Sequence, residues 1–143
     1  MRPVGVRRRP LSYPRNDLFM SMFFRDRKDI IGTSRDVNNV NYRTLRLLLA
    51  TDDAPVSLTD IVLNPGIEDI YGYADRTEIA YCIEGRATSR DLKTNVAQDI
   101  YPGVLWVAPP NSRFSFLAHE PTRLICVFYP PLEGNESGLA VDV

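Results

Sequence analysis

Apolar and polar residues alternate with a period of two along most of the chain from Tyr42 onward. This alternation is typical of β-strands that bury one face. Turn-forming residues separate the alternating runs, as at Asn64-Pro65-Gly66 and Pro109-Pro110-Asn111. No helical stripe of useful length occurs, so the pattern predicts an all-β barrel or sandwich. We predict about eight strands, over 42–50, 56–63, 67–73, 77–83, 96–101, 104–108, 114–118 and 122–129.

The first 21 residues differ from the rest because they contain Pro3, Pro10 and Pro14 and show no periodicity. They predict an extended N-terminal arm, residues 1–21, followed by a single β domain over residues 22–143. Residues 23–41 are polar and turn-rich, with a short helical turn expected near 25–30. Residues 89–95 are predicted to form a hairpin connection.

Composition restricts the class of protein. A chain of 143 residues with 44% hydrophobic content can bury the core of one domain. Its apolar runs are much shorter than the roughly 20 residues of a membrane span, and no signal-peptide pattern is present, so we expect a cytoplasmic protein. Cys82 and Cys126 lie within apolar runs, where buried free thiols are expected more than a disulfide.

Charge is distributed unevenly although the net charge is only −1. Residues 1–15 of the arm carry five arginines and no acidic residue, and the rest of the chain is acidic. The arm's single short basic cluster does not favour nucleic acid as a partner. We expect instead a homodimer, in which the arm packs on the partner subunit or over the mouth of a pocket.

The stretch from Arg76 to Gly85 carries the first specific motif. Glu78, six further residues and Gly85 resemble the second half of the first cupin motif, a strand and turn of a small β-barrel. Metal-binding cupins have a His-x-His pair just upstream. Here Ile70, Gly72 and Ala74 occupy those places, which indicates that metal ligands are missing.

Several further segments extend this likeness. VNYRTLRLLLATDD, the Asn-Pro-Gly turn, TEIAYCIEG, Pro102-Gly103 and RLICVFYPPLEG together resemble the ectoine synthase family of cupins. The likeness runs almost without gaps from Met22 to Ser137 and implies a jelly-roll β-barrel.

The resemblance also implies an iron held by a Glu, a Tyr and a His. The Glu falls on Glu78, but the Tyr falls on Trp106 and the His on Phe114. Indole and phenyl rings offer no lone pair to a metal, so we predict neither a metal nor another cofactor. His119 lies in a polar turn and is expected at the surface.

The family's substrate contacts divide differently. Arg46, Tyr73, Cys126, Phe128 and Glu136 match positions that touch the substrate or shape the pocket in that family. Combined with the period-two alternation, the resemblance predicts an aromatic box with few charges. We predict as catalytic Trp106, Glu78, Tyr73 and Arg46, and as substrate-binding Tyr42, Thr59, Ile61, Phe114, Phe116, Cys126 and Phe128.

Two alternatives stay open for these residues. The phenylalanines and Cys126 could simply fill the barrel core, as side chains do in small barrels. Glu78 could pair with Arg46 or a tyrosine hydroxyl, or it could face a substrate as an acid or hydrogen-bond acceptor.

The aromatic substitutions lead to a functional hypothesis. We expect a metal-independent cyclase of secondary metabolism that folds an apolar, polyketide-derived polyene for a cycloaddition. The first alternative is a dehydrative cyclase of the ectoine synthase type with an altered metal site. The second alternative is a cupin that binds a small molecule without catalysis.

Overall fold

A computed structural model describes residues 21–137 of the protein. The predicted arm lies almost wholly outside these residues, and its division from the β domain stays a prediction. Two short 3-10 turns and ten strands are present in the described part. The strands are β1 Asp36–Asn38, β2 Tyr42–Leu48, β3 Ser57–Leu63, β4 Glu68–Tyr71, β5 Thr77–Glu84, β6 Ala87–Asp91, β7 Ala97–Ile100, β8 Leu105–Ala108, β9 Phe114–Ala118 and β10 Thr122–Tyr129.

The strands form two antiparallel sheets. One has the order β1-β2-β3-β10-β5-β8 and the other the order β4-β9-β6-β7. Side chains that alternate along the strands form the core on the inner faces. In β5, for example, Ala80 and Cys82 are fully buried, whereas Ile79 and Tyr81, which alternate with them, are exposed. The prediction of an all-β jelly roll is confirmed.

Two of the ten strands were not predicted. The missed strand β6 contains Thr88, Ser89 and Arg90, which resemble a turn in composition. It forms because it pairs with β7 on one side and β9 on the other, so backbone hydrogen bonds stabilise it whatever its side chains. The predicted connection at 89–95 is therefore wrong for residues 89–91. The other missed strand, β1, lies in the polar segment before β2 and pairs with it.

Ion pairs connect the polar segment before β2 to the 3-10 turn Ala50–Asp52, which follows β2. The expected helical turn is present at Arg27–Asp29. Arg25 and Arg35 both bind the Asp52 carboxylate, at 3.1 Å and 2.8 Å. These arginines hold the pKa of Asp52 below its usual value although burial acts in the opposite direction.

Gly85, which ends the first motif, is required by its surroundings. Its φ of +99° lies in the left-handed region, and an added Cβ would come within 2.5 Å of the Pro121 carbonyl oxygen. A larger residue would push β5 away from the start of β10. The glycine of the motif is thus explained by backbone packing alone.

The remaining predictions concern the two cysteines, the histidine, membrane spans and the oligomeric state. Cys82 and Cys126 are buried free thiols, as expected. His119 is exposed and its Nε2 lies 2.7 Å from Thr88 Oγ1, so it is a surface residue. Within residues 21–137, no helix has the length and apolar character to cross a membrane. The homodimer stays a prediction.

Candidate active site

A cavity of about 70 Å³ lies between the inner faces of the two sheets. Every residue that we predicted to be catalytic or substrate-binding contributes to its wall. These residues are Tyr42, Arg46, Thr59, Ile61, Tyr73, Glu78, Trp106, Phe114, Phe116, Cys126 and Phe128. Their roles stay predictions, but their common location follows from the alternation of side chains along the strands. The wall also includes residues that we did not predict there: Thr44, Leu63, Tyr71, Leu124, Leu132 and Ser137.

Aromatic rings pack against one another around the cavity. Trp106 stacks on Phe116 with ring centroids 6.0 Å apart. Tyr73 meets Phe128 edge to face at 5.3 Å, and Tyr71 lies 6.1 Å from Phe114. Contacts of this geometry are favourable and restrict ring motion. The predicted aromatic box is therefore present, and the phenylalanines serve both as core residues and as cavity walls.

Glu78 is the cavity's most unusual polar group. Only 8% of the residue is exposed. Burial raises the pKa of its carboxyl group to about 7, and a hydrogen bond from the Cys126 thiol counteracts this only in part. A carboxyl group with this pKa is protonated and ionised to similar extents at neutral pH. Such a group can both accept and donate a proton.

Cys126 lies between Glu78 and a second polar side chain. Its thiol is hydrogen-bonded to the Glu78 carboxyl group and to Thr59. Burial raises the pKa of the thiol, and the nearby Glu78 charge raises it further. Strand register explains this chain of contacts, because β10 pairs with both β3 and β5 and sets Cys126 opposite Thr59 and Ala80. Alternation along single strands could not reveal it.

Arg46 corrects one of our expectations. Its guanidinium does not neutralise Glu78, as we had considered. It donates instead to the backbone carbonyl oxygens of Gly134 and, at 2.7 Å, Glu136. Tyr42 likewise does not reach Glu78, since its hydroxyl donates to the Ser137 carbonyl oxygen at 2.8 Å. Glu78 has only the Cys126 thiol as an assigned hydrogen-bond partner among the described residues.

Residues 132–137, which we call the C-terminal strap, cover one side of the cavity. The Glu136 carboxylate accepts hydrogen bonds from the backbone N–H groups of Glu133 and Gly134 at 2.8 Å and 2.9 Å. It also pairs with Arg76 at 3.1 Å. The family resemblance had suggested Glu136 as a pocket residue. The structure shows in addition that its own side chain shapes the strap.

The side chains of the cavity do not fit an iron held by three protein ligands. Glu78 could supply one carboxylate oxygen. Trp106 and Phe114, at the other two positions, have no electron pair to donate. Nowhere in residues 21–137 do three His, Cys, Asp or Glu side chains form a group that could hold a metal ion.

Comparisons with known proteins identify the family. The family model described as "Ectoine synthase" matches residues 22–139. The chain belongs to the ectoine synthase family. It is 34% identical to the L-ectoine synthase of Desulfosudis oleivorans over 117 residues, which are 81% of this chain and 91% of that protein. It is 36% identical to that of Alkalilimnicola ehrlichii, over 76% of this chain and 83% of the relative.

Solved structures agree with this assignment. The ectoine synthase of P. lautus superposes with a TM-score of 0.75 and 29% identity, covering 79% of this chain and 81% of that one. A Cupin 2 conserved barrel domain protein from Salinispora arenicola gives a TM-score of 0.59 at 21% identity, over 77% and 90% of the two chains. The latter supports the fold alone.

Family membership corrects our functional hypothesis. The hypothesis that the protein catalyses the cycloaddition of an apolar polyene is wrong. The proteins that are 34% and 36% identical to it over most of the chain are named L-ectoine synthases. The cavity agrees with the correction, since about 70 Å³ is far below the roughly 300–1,000 Å³ of pockets that enclose drug-sized ligands. Membership supports an enzymatic role and the first alternative, a dehydrative cyclase.

Proposed function

We propose that this protein is a dehydrative cyclase of the ectoine synthase type. It would close a ring within one small molecule by joining an amine nitrogen to an amide carbonyl carbon, with loss of water. The family match over residues 22–139 supports the reaction class. The observation that carries the proposal to particular residues is the buried Glu78 carboxyl group, whose pKa is about 7 and which faces the cavity.

Glu78 would move the protons that this reaction requires. As the carboxylate, it accepts a proton from the attacking amine while the new N–C bond forms. As the carboxylic acid, it returns that proton to the former carbonyl oxygen, which becomes a hydroxyl group. A second proton then passes from the same nitrogen through Glu78 to this hydroxyl group, which leaves as water while the C=N bond forms. The substrate thus loses one water molecule, and the carboxyl group ends in its starting state. A pKa near the working pH is the optimum for a group that performs both steps.

The rest of the cavity would orient the substrate. Ring closure requires a flexible molecule to place its amine and its carbonyl carbon about 3 Å apart, and rigid walls reduce the entropic cost of this. The Trp106–Phe116 and Tyr73–Phe128 pairs supply such walls. Arg46 and Tyr42 hold the C-terminal strap over the cavity, which limits the access of bulk water. No step of this scheme passes through a metal ion.

The resemblance to ectoine synthases implies an acetylated diamino acid as the substrate. The direct test is conversion of that compound to L-ectoine, followed by proton NMR. We expect turnover by the wild-type protein and a loss of about 100-fold or more in Glu78→Gln, because the amide cannot transfer the proton. Glu68→Gln is the matched control, since Glu68 is exposed on β4 and should leave turnover unchanged. Absence of conversion by the wild type, with chelator and with added ferrous iron, would contradict the proposal.

A further inference from the structure

The side chain of Trp106 combines three features that together indicate a ligand. It belongs to β8, opposite Ala80 of β5, and contributes to the cavity wall. Its indole ring is held by stacking on Phe116, with 26° between the ring planes. Its Nε1 atom is buried and has no hydrogen-bond partner within residues 21–137.

A buried N–H group without a partner is unfavourable, and native proteins rarely retain one without a reason. The neighbouring polar side chains do not satisfy this donor. Arg46 has no acceptor atom, and neither the Tyr42 hydroxyl nor the Cys126 thiol, which are bonded to other groups, accepts a hydrogen bond from the indole. An acceptor atom on a bound molecule would complete the hydrogen bonding of the indole.

We propose that the Trp106 N–H group donates a hydrogen bond to the carbonyl oxygen of the substrate during ring closure. Trp106 is then a catalytic residue, and this inference rests on the proposed function. When the amine attacks, negative charge develops on that oxygen, and a donor held at this place stabilises it. The indole keeps its proton throughout, while Glu78 transfers both protons that leave with the oxygen as water from the nitrogen to that oxygen.

This role explains how the chain dispenses with the metal ligand that the family resemblance places at position 106. A tyrosine offers an electron pair to a metal, which in turn polarises a carbonyl group. Indole offers a hydrogen to the carbonyl oxygen itself. The substitution at position 106 therefore changes the source of electrophilic assistance and leaves the class of reaction unchanged.

The chain suits a direct test because Trp106 is its only tryptophan. Protein labelled with ¹⁵N gives a single indole N–H signal in a two-dimensional NMR spectrum. We expect a downfield shift of that proton on titration with N-methylacetamide, a simple amide, and on addition of the acetylated diamino acid to Glu78→Gln. No shift at saturating amide would overturn the inference, whatever the activity of the protein.

Kinetics provide the second measurement. Trp106→Phe keeps an aromatic ring and removes the donor, so we expect kcat and kcat/KM to fall together by about 100-fold, as for other donors to a developing oxyanion. Tyr81→Phe, which removes a polar group from an exposed ring of β5, is the control and should be unchanged. A merely structural role would lower the Tm or raise KM with kcat intact.

The two proposals can fail separately. If the wild type converts the substrate and Trp106→Phe is within threefold of it, the inference about Trp106 is wrong and the proposed function stands. If the wild type converts nothing, the proposed function fails. The amide titration then still decides whether the indole accepts a carbonyl ligand, and circular dichroism shows whether the variant is folded.

Discussion

Two buried carboxyl groups of the six-stranded sheet behave in opposite ways. Asp60 of β3 and Glu78 of β5 are 4% and 8% exposed, and both lie on strands that pair with β10. Asp60 points away from the cavity, because its neighbour Thr59 lines the cavity wall. Glu78 points into the cavity. The pKa of Asp60 lies below its usual value, whereas that of Glu78 is raised to about 7.

The difference arises from their partners. Burial raises the pKa of both groups, and for both it is the largest single effect. Arg123 and Arg27 bind the Asp60 carboxylate at 2.7 Å and 3.0 Å and together outweigh its burial. Within residues 21–137, Glu78 receives a hydrogen bond only from the Cys126 thiol. Burial therefore indicates a candidate functional carboxyl group only where no cation compensates for the burial.

The comparison between Glu78 and Asp60 predicts its largest effect for Glu78→Gln, in the free energy of unfolding. The raised pKa of Glu78 in the folded protein favours the protonated form, so its contribution is fully present below about pH 4.5 and is lost as the pH rises to about 7. The variant should match the wild type at pH 4 and exceed it by about 3 kcal/mol at pH 8. Urea unfolding at both pH values measures this. Equal stability at pH 8 would indicate an ordinary carboxylate.

Asp60→Asn should act in the opposite direction. It leaves Arg123 and Arg27 without their carboxylate, and we expect a loss of about 2 kcal/mol at pH 7, moderated because both arginines reach solvent. Since the folded-state pKa of Asp60 is lowered, this loss should shrink as the pH falls below the pKa of an ordinary aspartate and should vanish only below the folded-state pKa. Asp99→Asn, at an exposed position of β7, is the control for urea unfolding. Turnover per folded molecule should persist, and its loss would refute a purely structural role for Asp60.

The smallest expected effect is a change in the pKa of Glu78 itself. Because a hydrogen bond from the Cys126 thiol lowers the pKa of Glu78, Cys126→Ala should raise that pKa further. Titration of the ¹³C-labelled carboxyl group by NMR measures the shift. Cys82→Ala also removes a buried thiol, but that thiol contacts the Glu84 carbonyl oxygen and should leave Glu78 unaffected. A shift in both variants would contradict a specific thiol contact.

Our functional hypothesis was wrong for an identifiable reason. We interpreted Trp106 and Phe114, at the positions of metal ligands, as evidence for another class of reaction. Loss of a metal ligand changes how the protein can polarise a carbonyl group of the substrate. The identity of the substrate, in contrast, depends on the shape and polarity of the whole cavity. That cavity retains Glu78, and the similarity to L-ectoine synthases extends over most of the chain. The substitutions alone therefore could not define the substrate.

Eight of the ten strands, and the face of each that lines the cavity, could be predicted from the sequence, because side chains alternate at every residue. The alternation and the family resemblance also predicted Glu78 and its aromatic neighbours inside the barrel. The hydrogen-bond partners of these residues depend on the tertiary structure. The hydrogen bond between Cys126 and Glu78 depends on the register of β10. The hydrogen bond from Arg46 to the Gly134 carbonyl oxygen depends on the position of the C-terminal strap, because the two residues lie 88 positions apart in the sequence. Strand β6 also required tertiary pairing, since backbone hydrogen bonds to two neighbours leave no trace in side-chain polarity.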